Sequence, residues 1–299
     1  SVGKENLYIW EKQEGMLHEN EAAEILRQIC QGEHMHPSEV KEGKIELIAD
    51  CEGVLKINTE KLNAVNNLGE MMIASRHGNF PVKTGDKIAG TRIIPLVIEE
   101  EKMQKACEVA GKEPIFRILP YQKKKAGIVT TGSEVYYHRI EDKFTPVVIE
   151  KLKECGVTEV KQIQCNDDHE MIMEAIQTLI EDGSDLIVCT GGMSVDPDDR
   201  TPLAIKNACM EVVTYGAPVL PGAMFMLAYC EKEGRQIPVM GLPGCVMYAK
   251  RTIFDLVLPR IMCDEKLHEK DFRLLGQGGL CLSCPVCTFP NCGFGKGGY

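Results

Sequence analysis

Long apolar runs are missing from this chain of 299 residues. No stretch approaches the roughly 20 consecutive apolar residues that a membrane-spanning helix needs, so no membrane partner is expected. A basic segment leading into a short apolar one is also missing at the start, so no secretory leader is expected there. The first residue is Ser1, not Met, and the chain is expected to begin inside a longer gene product. Positive charge is in short supply: 34 Lys and Arg against 44 Asp and Glu leave a formal net charge of −10. That balance argues against nucleic acid or an anionic membrane surface as the main partner. The one basic run, Lys123-Lys124-Lys125, lies between apolar segments and reads as a solvated linker. A Walker A sequence is absent. The run Gly293-Phe294-Gly295-Lys296-Gly297-Gly298 is glycine-rich, but it follows no predicted strand and opens no predicted helix, so it is not a nucleotide fingerprint.

Cysteine, in contrast, is plentiful, with fourteen residues. Ten are scattered through predicted strands and helices, the usage of reduced thiols in a cytoplasmic protein. The last four form Cys281-x2-Cys284-x2-Cys287-x4-Cys292. Four thiols at that spacing suit Zn²⁺ or an Fe–S cluster. The bacterial ferredoxin run has three residues before its fourth Cys, so the match is partial, and a flexible reduced tail is the alternative. His34 and His36, flanking Met35, read as surface residues.

Length and pattern predict two domains and a tail. Residues 1–122 mix short strands and helices, as a small α+β domain does. A helix is expected over Asn20–Gln31, a hairpin from Lys44–Asp50 and Gly53–Ile57, a helix over Thr59–Leu68, a turn at Gly85-Asp86 before a strand, a helix over Glu99–Val109 and a strand over Ile115–Leu119. Residues 123–268 alternate strand and helix. Strands are expected at Ala126–Thr131, Glu159–Cys165, Leu186–Thr190 and Pro238–Leu242. Helices are expected from Thr145-Pro146 to Cys155 with Thr145 as N-cap, from His169 to Glu181 capped by Asp167 or Asp168, from Thr201-Pro202 onward, and over Met247–Arg260. Such alternation with short loops gives an α/β fold of three α/β/α layers with a mostly parallel sheet. Residues 269–299 are the Cys-rich tail.

Ligands of such sheets bind at the carboxyl ends of the strands. Glu134, Asp167, Asp168, Gly191, Gly192, Asp199 and Pro243-Gly244 all follow strands and are expected on one rim. The richest segment is Asp185-Leu186-Ile187-Val188-Cys189-Thr190-Gly191-Gly192-Met193-Ser194, followed by Asp196, Asp198, Asp199 and Thr201-Pro202. Two glycines let backbone amides approach a ligand, a helix start favours an anion, and carboxylates beside it point to a hard cation such as Mg²⁺. The pattern predicts a site for a phosphorylated small molecule. Asp167 with Glu170 also fits a capping box, and Asp199 also fits a first-turn acid that complements a helix dipole.

The motifs of Ala126–Met262, taken in order, resemble the MoaB/Mog-type molybdopterin-binding domain of MogA, MoeA and their relatives. Thr131-Gly132-Ser133-Glu134 resembles the T-G-D-E of MoeA-like proteins, and Asp142 the aspartate of their D-[ST]-N segment. Asp167 falls where MogA-like proteins place a functional aspartate. Gly191-Gly192-Met193-Ser194 through Asp199 resembles the G-G-[VT]-[SG] loop, Pro221-Gly222 the P-G-K-P, and Leu242-Pro243-Gly244 the L-P-G-N-P. The front part resembles the MoeA accessory domains only loosely. The resemblance implies a rim that holds molybdopterin or its adenylated form with Mg²⁺, through Thr131, Gly132, Ser133, Glu134, Asp142, Gly191, Gly192, Met193, Ser194, Pro221, Gly222, Pro243 and Gly244. Asp167 and Asp199 would be the catalytic pair. It also implies molybdenum cofactor biosynthesis, MoeA-like support of molybdate insertion, a homo-oligomer, and other proteins of that pathway as partners. Phe144 stands in place of the Asn of D-[ST]-N, Ala223 in place of the Lys of P-G-K-P, Cys245-Val246 in place of N-P, and Ser133 in place of an acid. These departures leave two alternatives: a non-catalytic molybdopterin carrier or sensor, and a MogA-like adenylyltransferase. The related CinA-like nucleotide hydrolases match these motifs less well.

Overall fold

The computed structural model describes residues 14–194, 196 and 199–297. The chain divides into two compact units after Pro120.

The first unit contains β1 (Met16–His18), α1 (Glu19–Cys30), β2 (Met35–Pro37), β3 (Lys44–Ala49), β4 (Gly53–Ile57), α2 (Thr59–Asn66), β5 (Met71–Ser75), β6 (Pro81–Val82), β7 (Lys87–Ile93), β8 (Val97–Glu99), α3 (Glu100–Ala110) and β9 (Phe116–Pro120). Ala22, Ala23, Leu26 and Ile29 recur at helical spacing on α1 and are buried in the core of this unit with Leu47, Met103 and Phe116. The expected hairpin does not form. β3 pairs with β2 and β7, whereas β4 pairs with β6 and β9 in a different sheet. The Cys51-Glu52 link therefore passes the chain between sheets. Gly53 permits this: a Cβ there would lie 2.1 Å from the Leu119 carbonyl oxygen.

The second unit contains β10 (Lys125–Thr131), α4 (Ser133–Tyr136), α5 (Phe144–Glu154), β11 (Glu159–Cys165), α6 (His169–Glu181), β12 (Leu186–Thr190), α7 (Thr201–Ala208), β13 (Glu211–Tyr215), β14 (Met226–Lys232), β15 (Arg235–Leu242), a 3₁₀ turn at Gly244–Met247, α8 (Ile253–Met262) and α9 (Glu269–Arg273). One sheet runs β11-β10-β12-β15-β14-β13. Its first four strands are parallel, and β14 then runs antiparallel to both neighbours. β12 is buried at every residue, as a central parallel strand covered on both faces must be. Ile187 and Cys189 face the core that α6 and α7 complete through Ile172, Ile176, Ala204 and Ile205. Alternation sends Leu186, Val188 and Thr190 to the opposite face, where α5 lies and its Thr145 hydroxyl meets that of Thr130 at 2.9 Å. The unit is thus an α/β/α layer fold with a mostly parallel sheet.

Two helix expectations change. The α5 helix starts one residue before Thr145, with Asp142 accepting hydrogen bonds from the amides of Phe144 and Thr145; Thr145 itself sits in the first turn with its hydroxyl turned to the sheet. The helix expected over Met247–Arg260 is broken between the 3₁₀ turn and α8. Thr252 caps α8 in a reciprocal box with Asp255, which accepts from the Thr252 amide at 2.7 Å. The tail is held to this unit by Leu220 N–H to Gly279 O and Cys281 N–H to Leu220 O, each 2.8 Å, and by Phe294, which is buried. Among the described residues, no helix is long and apolar enough to cross a membrane.

Candidate functional site

The parallel strands deliver their carboxyl ends to one rim. Thr131 ends β10, Cys165 ends β11, Thr190 ends β12 and Leu242 ends β15, and all are in register: Thr131 with Cys165, Thr130 with Thr190, and Thr190 with Leu242. A cavity of about 520 Å³ opens there, lined by Thr130, Thr131, Asp142, Lys143, Thr190, Gly191 and Tyr248 among others.

Two threonines of adjacent strands shape its floor. Thr130 and Thr190 are register partners on one sheet face. The Thr130 hydroxyl is engaged by Thr145 and by Gln162 Nε2 at 2.9 Å, and the Gln162 amide also donates to Asp142 Oδ2 at 2.8 Å and to the Thr145 hydroxyl at 3.0 Å. The Thr190 side-chain hydroxyl, in contrast, is completely buried and has no hydrogen-bond partner among the described residues. A buried hydroxyl left unmade costs about 1–3 kcal/mol. Thr190 borders the cavity with none of its own surface open to it.

Asp142 has two roles. Its Oδ1 accepts from the Phe144 and Thr145 amides, both at 3.0 Å, and its Oδ2 from Gln162. Burial alone would raise its carboxyl. The hydrogen bonds from Thr145, Gln162 and Phe144 outweigh burial and hold the acid below its ordinary value. Lys143 and Glu141 flank it on the cavity wall.

The two glycine turns are built by close approach. Gly191 has φ +87°, and a Cβ there would fall 2.3 Å from the Thr131 carbonyl oxygen. The Thr131 hydroxyl donates to the Thr190 carbonyl at 3.1 Å and meets the Thr201 hydroxyl at 3.1 Å, tying β10 to the start of α7. Gly192 has φ +54° and faces Thr201 and Asp199. Asp199 Oδ2 accepts the Ser194 amide at 2.7 Å, which folds the loop back on itself. Asp198 lies outside the described residues.

Asp167 and Asp168 divide the work that the sequence left shared. Asp168 caps α6, accepting from the Glu170 and Met171 amides at 3.0 Å each. Asp167 is left to reach across to the β10 loop, where its Oδ2 accepts from both the amide and the hydroxyl of Ser133 at 2.9 and 2.8 Å. Gly132, at φ +135°, precedes that contact, and Glu134 projects into solvent.

Other expected residues are used elsewhere. The Met193 side chain is buried against Gly241, and only its carbonyl faces outward, accepting from the Tyr215 hydroxyl at 3.1 Å. Burial first, and the Asp199 charge second, raise that phenol above its ordinary value. Gly222, at φ +125°, is pressed against Ile253, where a Cβ would lie 2.5 Å from a side-chain methyl; Pro221 accepts from the Ile253 amide. That pair seats α8 and does not line the cavity. Pro243 and Gly244 start the 3₁₀ turn that brings Met247 and Tyr248 onto the cavity wall. Thr130, Lys143, Thr190 and Tyr248 were not foreseen as site residues. The available signal was polar threonine at the last positions of two otherwise apolar buried strands.

Among the described residues, no pre-formed protein cage for Mg²⁺ is present. Asp167 and Asp199 each use carboxylate oxygen on loop hydrogen bonds, and among the described residues no three Asp, Glu, His or Cys side chains gather around one point. The tail cysteines Cys281, Cys284, Cys287 and Cys292 form no disulfide and, like the rim acids, are not gathered as a group of three or more around one point.

Residues 127–262 match the family described as the probable molybdopterin binding domain. The second unit carries a domain of that family. The matched stretch contains β11, β12 and β15, whose carboxyl ends lie at the rim. Among curated proteins, a CinA-like protein of Mycobacterium sp. (strain MCS) is 35% identical over 85 residues, covering 28% of this chain, and a CinA-like protein of Mycobacterium avium (strain 104) is 34% identical over 95 residues, covering 32%. The matched stretch spans about a fifth of the length of these relatives, 20% and 22%. Among solved structures, the tungsten cofactor synthesizing protein MoaB from Pyrococcus furiosus aligns with 23% identity and a TM-score of 0.37, over 42% of this chain and 84% of that one. The molybdopterin biosynthesis Mog protein from Mycobacterium ulcerans aligns with 19% identity and a TM-score of 0.37, over 46% and 92%.

Proposed function

We propose that the second unit binds molybdopterin or its adenylated form at the β10–β12–β15 rim, and that the protein serves molybdenum cofactor biosynthesis. The observation that carries the reading is the cavity of about 520 Å³ at the carboxyl ends of β10 and β12, beside the Gly191 turn and inside the stretch that matches the probable molybdopterin binding domain. The Gly191–Ser194 turn would offer backbone amides to the ligand's phosphate, because glycine leaves that backbone open. Lys143 supplies a cation on the wall, and Tyr248 an exposed ring over which a pterin can stack. Asp167 and Asp199 would act as positioning residues that hold the two loops through Ser133 and Ser194.

The test is anaerobic calorimetry with molybdopterin, read beside mass spectrometry of small molecules that co-purify. Binding that is lost in Gly191→Val while circular dichroism is retained supports the reading. No binding by a folded protein overturns it. Turnover is a second reading, in the MoeA-like sense of molybdate insertion or the MogA-like sense of adenylyl transfer. Ala223, standing where the related motif has a lysine, favours binding without turnover. Release of AMP or incorporation of molybdenum by the purified protein would decide for turnover.

A further inference from the structure

The turn from α7 into β13 places two thiols side by side. α7 ends at Ala208, and Cys209 carries the chain out of it. The next residues run antiparallel beside β14: Met210 N–H donates to Tyr229 O at 3.2 Å, and Glu211 is the register partner of Tyr229. Cys230 follows Tyr229 on β14 and is buried in the same core as Ala204 and Ile205 of α7. Its thiol donates to the Ala208 carbonyl at 3.4 Å. The Cys209 side chain packs on that core and hydrogen-bonds to Cys230. Two cysteines whose side chains point apart cannot be bridged without backbone movement. These two already meet.

The pair is set apart from the other interior thiols. Burial pushes Cys30 and Cys155 up to about 12 and raises Cys189 as well, which is the state of inert structural cysteines. Cys230 is only 5% exposed, yet it lies below the ordinary thiol value, because the hydrogen bond from Cys209 outweighs burial. Cys209 is shifted the opposite way, first by that same bond and then by burial. One sulfur therefore gives up its proton more readily while the other keeps it, and the thiolate is the nucleophile of disulfide chemistry. Cys209 is also partly exposed, so a small oxidant can reach the pair from its side, whereas Cys189 has no surface open at all. We propose that Cys209 and Cys230 form a reversible disulfide in response to peroxide. The S–S bond forms between the two sulfurs, the O–O bond of one hydrogen peroxide breaks, both thiol protons pass to its oxygens, and two waters leave. The sulfurs together give up two electrons and the peroxide takes them. A small dithiol reverses the step by exchange and leaves as the disulfide itself. The bond fastens the C-terminal end of α7 to β14. The same helix begins at Thr201, which meets the Thr131 hydroxyl at 3.1 Å, so the crosslinked helix is the one whose first residue bounds the rim.

The experiment uses the full chain, reduced, freed of reductant and treated with a few equivalents of hydrogen peroxide. Remaining thiols are alkylated in denaturant, and the digested peptides are mapped by mass spectrometry. The expected result is a peptide pair joined through Cys209 and Cys230 in most of the molecules, lost after dithiothreitol, from a protein whose circular dichroism is unchanged by the treatment. Cys209→Ser should abolish the joined pair and keep the wild-type circular dichroism. Cys107→Ser, an exposed cysteine of the first unit, should leave the joined pair at the wild-type level. Recovery of Cys209 and Cys230 unjoined from treated, folded wild-type protein overturns the proposal. So does Cys230 joined to a cysteine other than Cys209, or a link that forms only after the protein is unfolded. None of these readouts involves a pterin, so this proposal and the binding reading fail separately.

Discussion

Asp167 Oδ2 holds Ser133 twice, by its amide and by its hydroxyl, and so fastens the loop after β10 to the loop after β11. A carboxylate that accepts two hydrogen bonds loses about 1.5–3 kcal/mol per bond to a charged group when it is removed, less where water can replace it. Asp167→Ala is expected to leave the fold intact and to weaken molybdopterin binding at least tenfold, because the Gly132 turn is no longer held. Ser133→Ala, which keeps the amide bond, should weaken it less. Calorimetry on both variants, with circular dichroism as the fold control, checks the order. Equal losses would show that the amide contact carries nothing.

Thr190→Val should raise the stability of the protein. The substitution keeps the shape and removes the unpartnered hydroxyl, which costs the free protein about 1–3 kcal/mol. The free variant is therefore expected to unfold at higher urea than the wild type. A variant that is less stable without ligand would mean that the hydroxyl already has a partner in solution.

Gly191→Ala tests the backbone of the rim. A residue other than glycine at φ +87° carries about 1–3 kcal/mol of strain, and here its Cβ would also collide with the Thr131 carbonyl oxygen at 2.3 Å. The expected outcome is a clear fall in melting temperature together with loss of binding. Gly183, at φ +89° with nothing near its Cβ, separates the two causes: Gly183→Ala should show the strain without the loss of binding.

Asp142 should leave a signature at acid pH. Its carboxyl is held below the ordinary value, so the stability it contributes is fully present above the unfolded value of about 3.9 and is lost as pH falls through the lower folded value. Urea midpoints measured from pH 5 downward should drop less steeply for Asp142→Asn than for the wild type. Parallel curves would remove Asp142 from the acid transition.

The parts of this fold that could be read from sequence are those in which one residue type has one use. The β12 run, apolar at every position but its last, Thr190, and followed by two glycines, could only be a strand covered on both faces. The α6 start was legible to within one residue, yet not which aspartate did what: Asp167 and Asp168 are chemically identical, and only the strand order β11-β10 shows which of them faces Ser133. The β14–β15 hairpin was hidden because its turn is made by Glu233 at φ +53° and Gly234 at φ +75°, and Glu carries no turn signal of the kind Asn or Asp does. The cavity residues Thr130 and Thr190 were invisible for a related reason. Threonine is common in strands, and only the register that pairs them places both hydroxyls on one face.

The break before α8 rests on a buried ion pair, and its disruption should be severe. The Asp255 side chain is 3% exposed and that of Lys151 is 9% exposed. The ammonium donates to both carboxylate oxygens, at 2.7 and 2.9 Å, and to the Lys250 carbonyl at 3.0 Å; Arg251 reaches the same carboxylate at 2.8 Å. One carboxylate therefore caps α8, ties it to α5 and fixes the segment that leads to Tyr248. Removing one partner of a buried pair strands the other charge, at about 3–5 kcal/mol. Asp255→Ala is expected to cost that much, because the buried Lys151 loses its carboxylate while Arg251 keeps only Glu154. Lys151→Met should cost less, because Asp255 keeps Arg251 and the Thr252 amide. A double-mutant cycle on urea midpoints measures the coupling directly. A coupling near zero would show that water already reaches the pair, and that the turn at Tyr248 is held by the glycine and proline backbone alone.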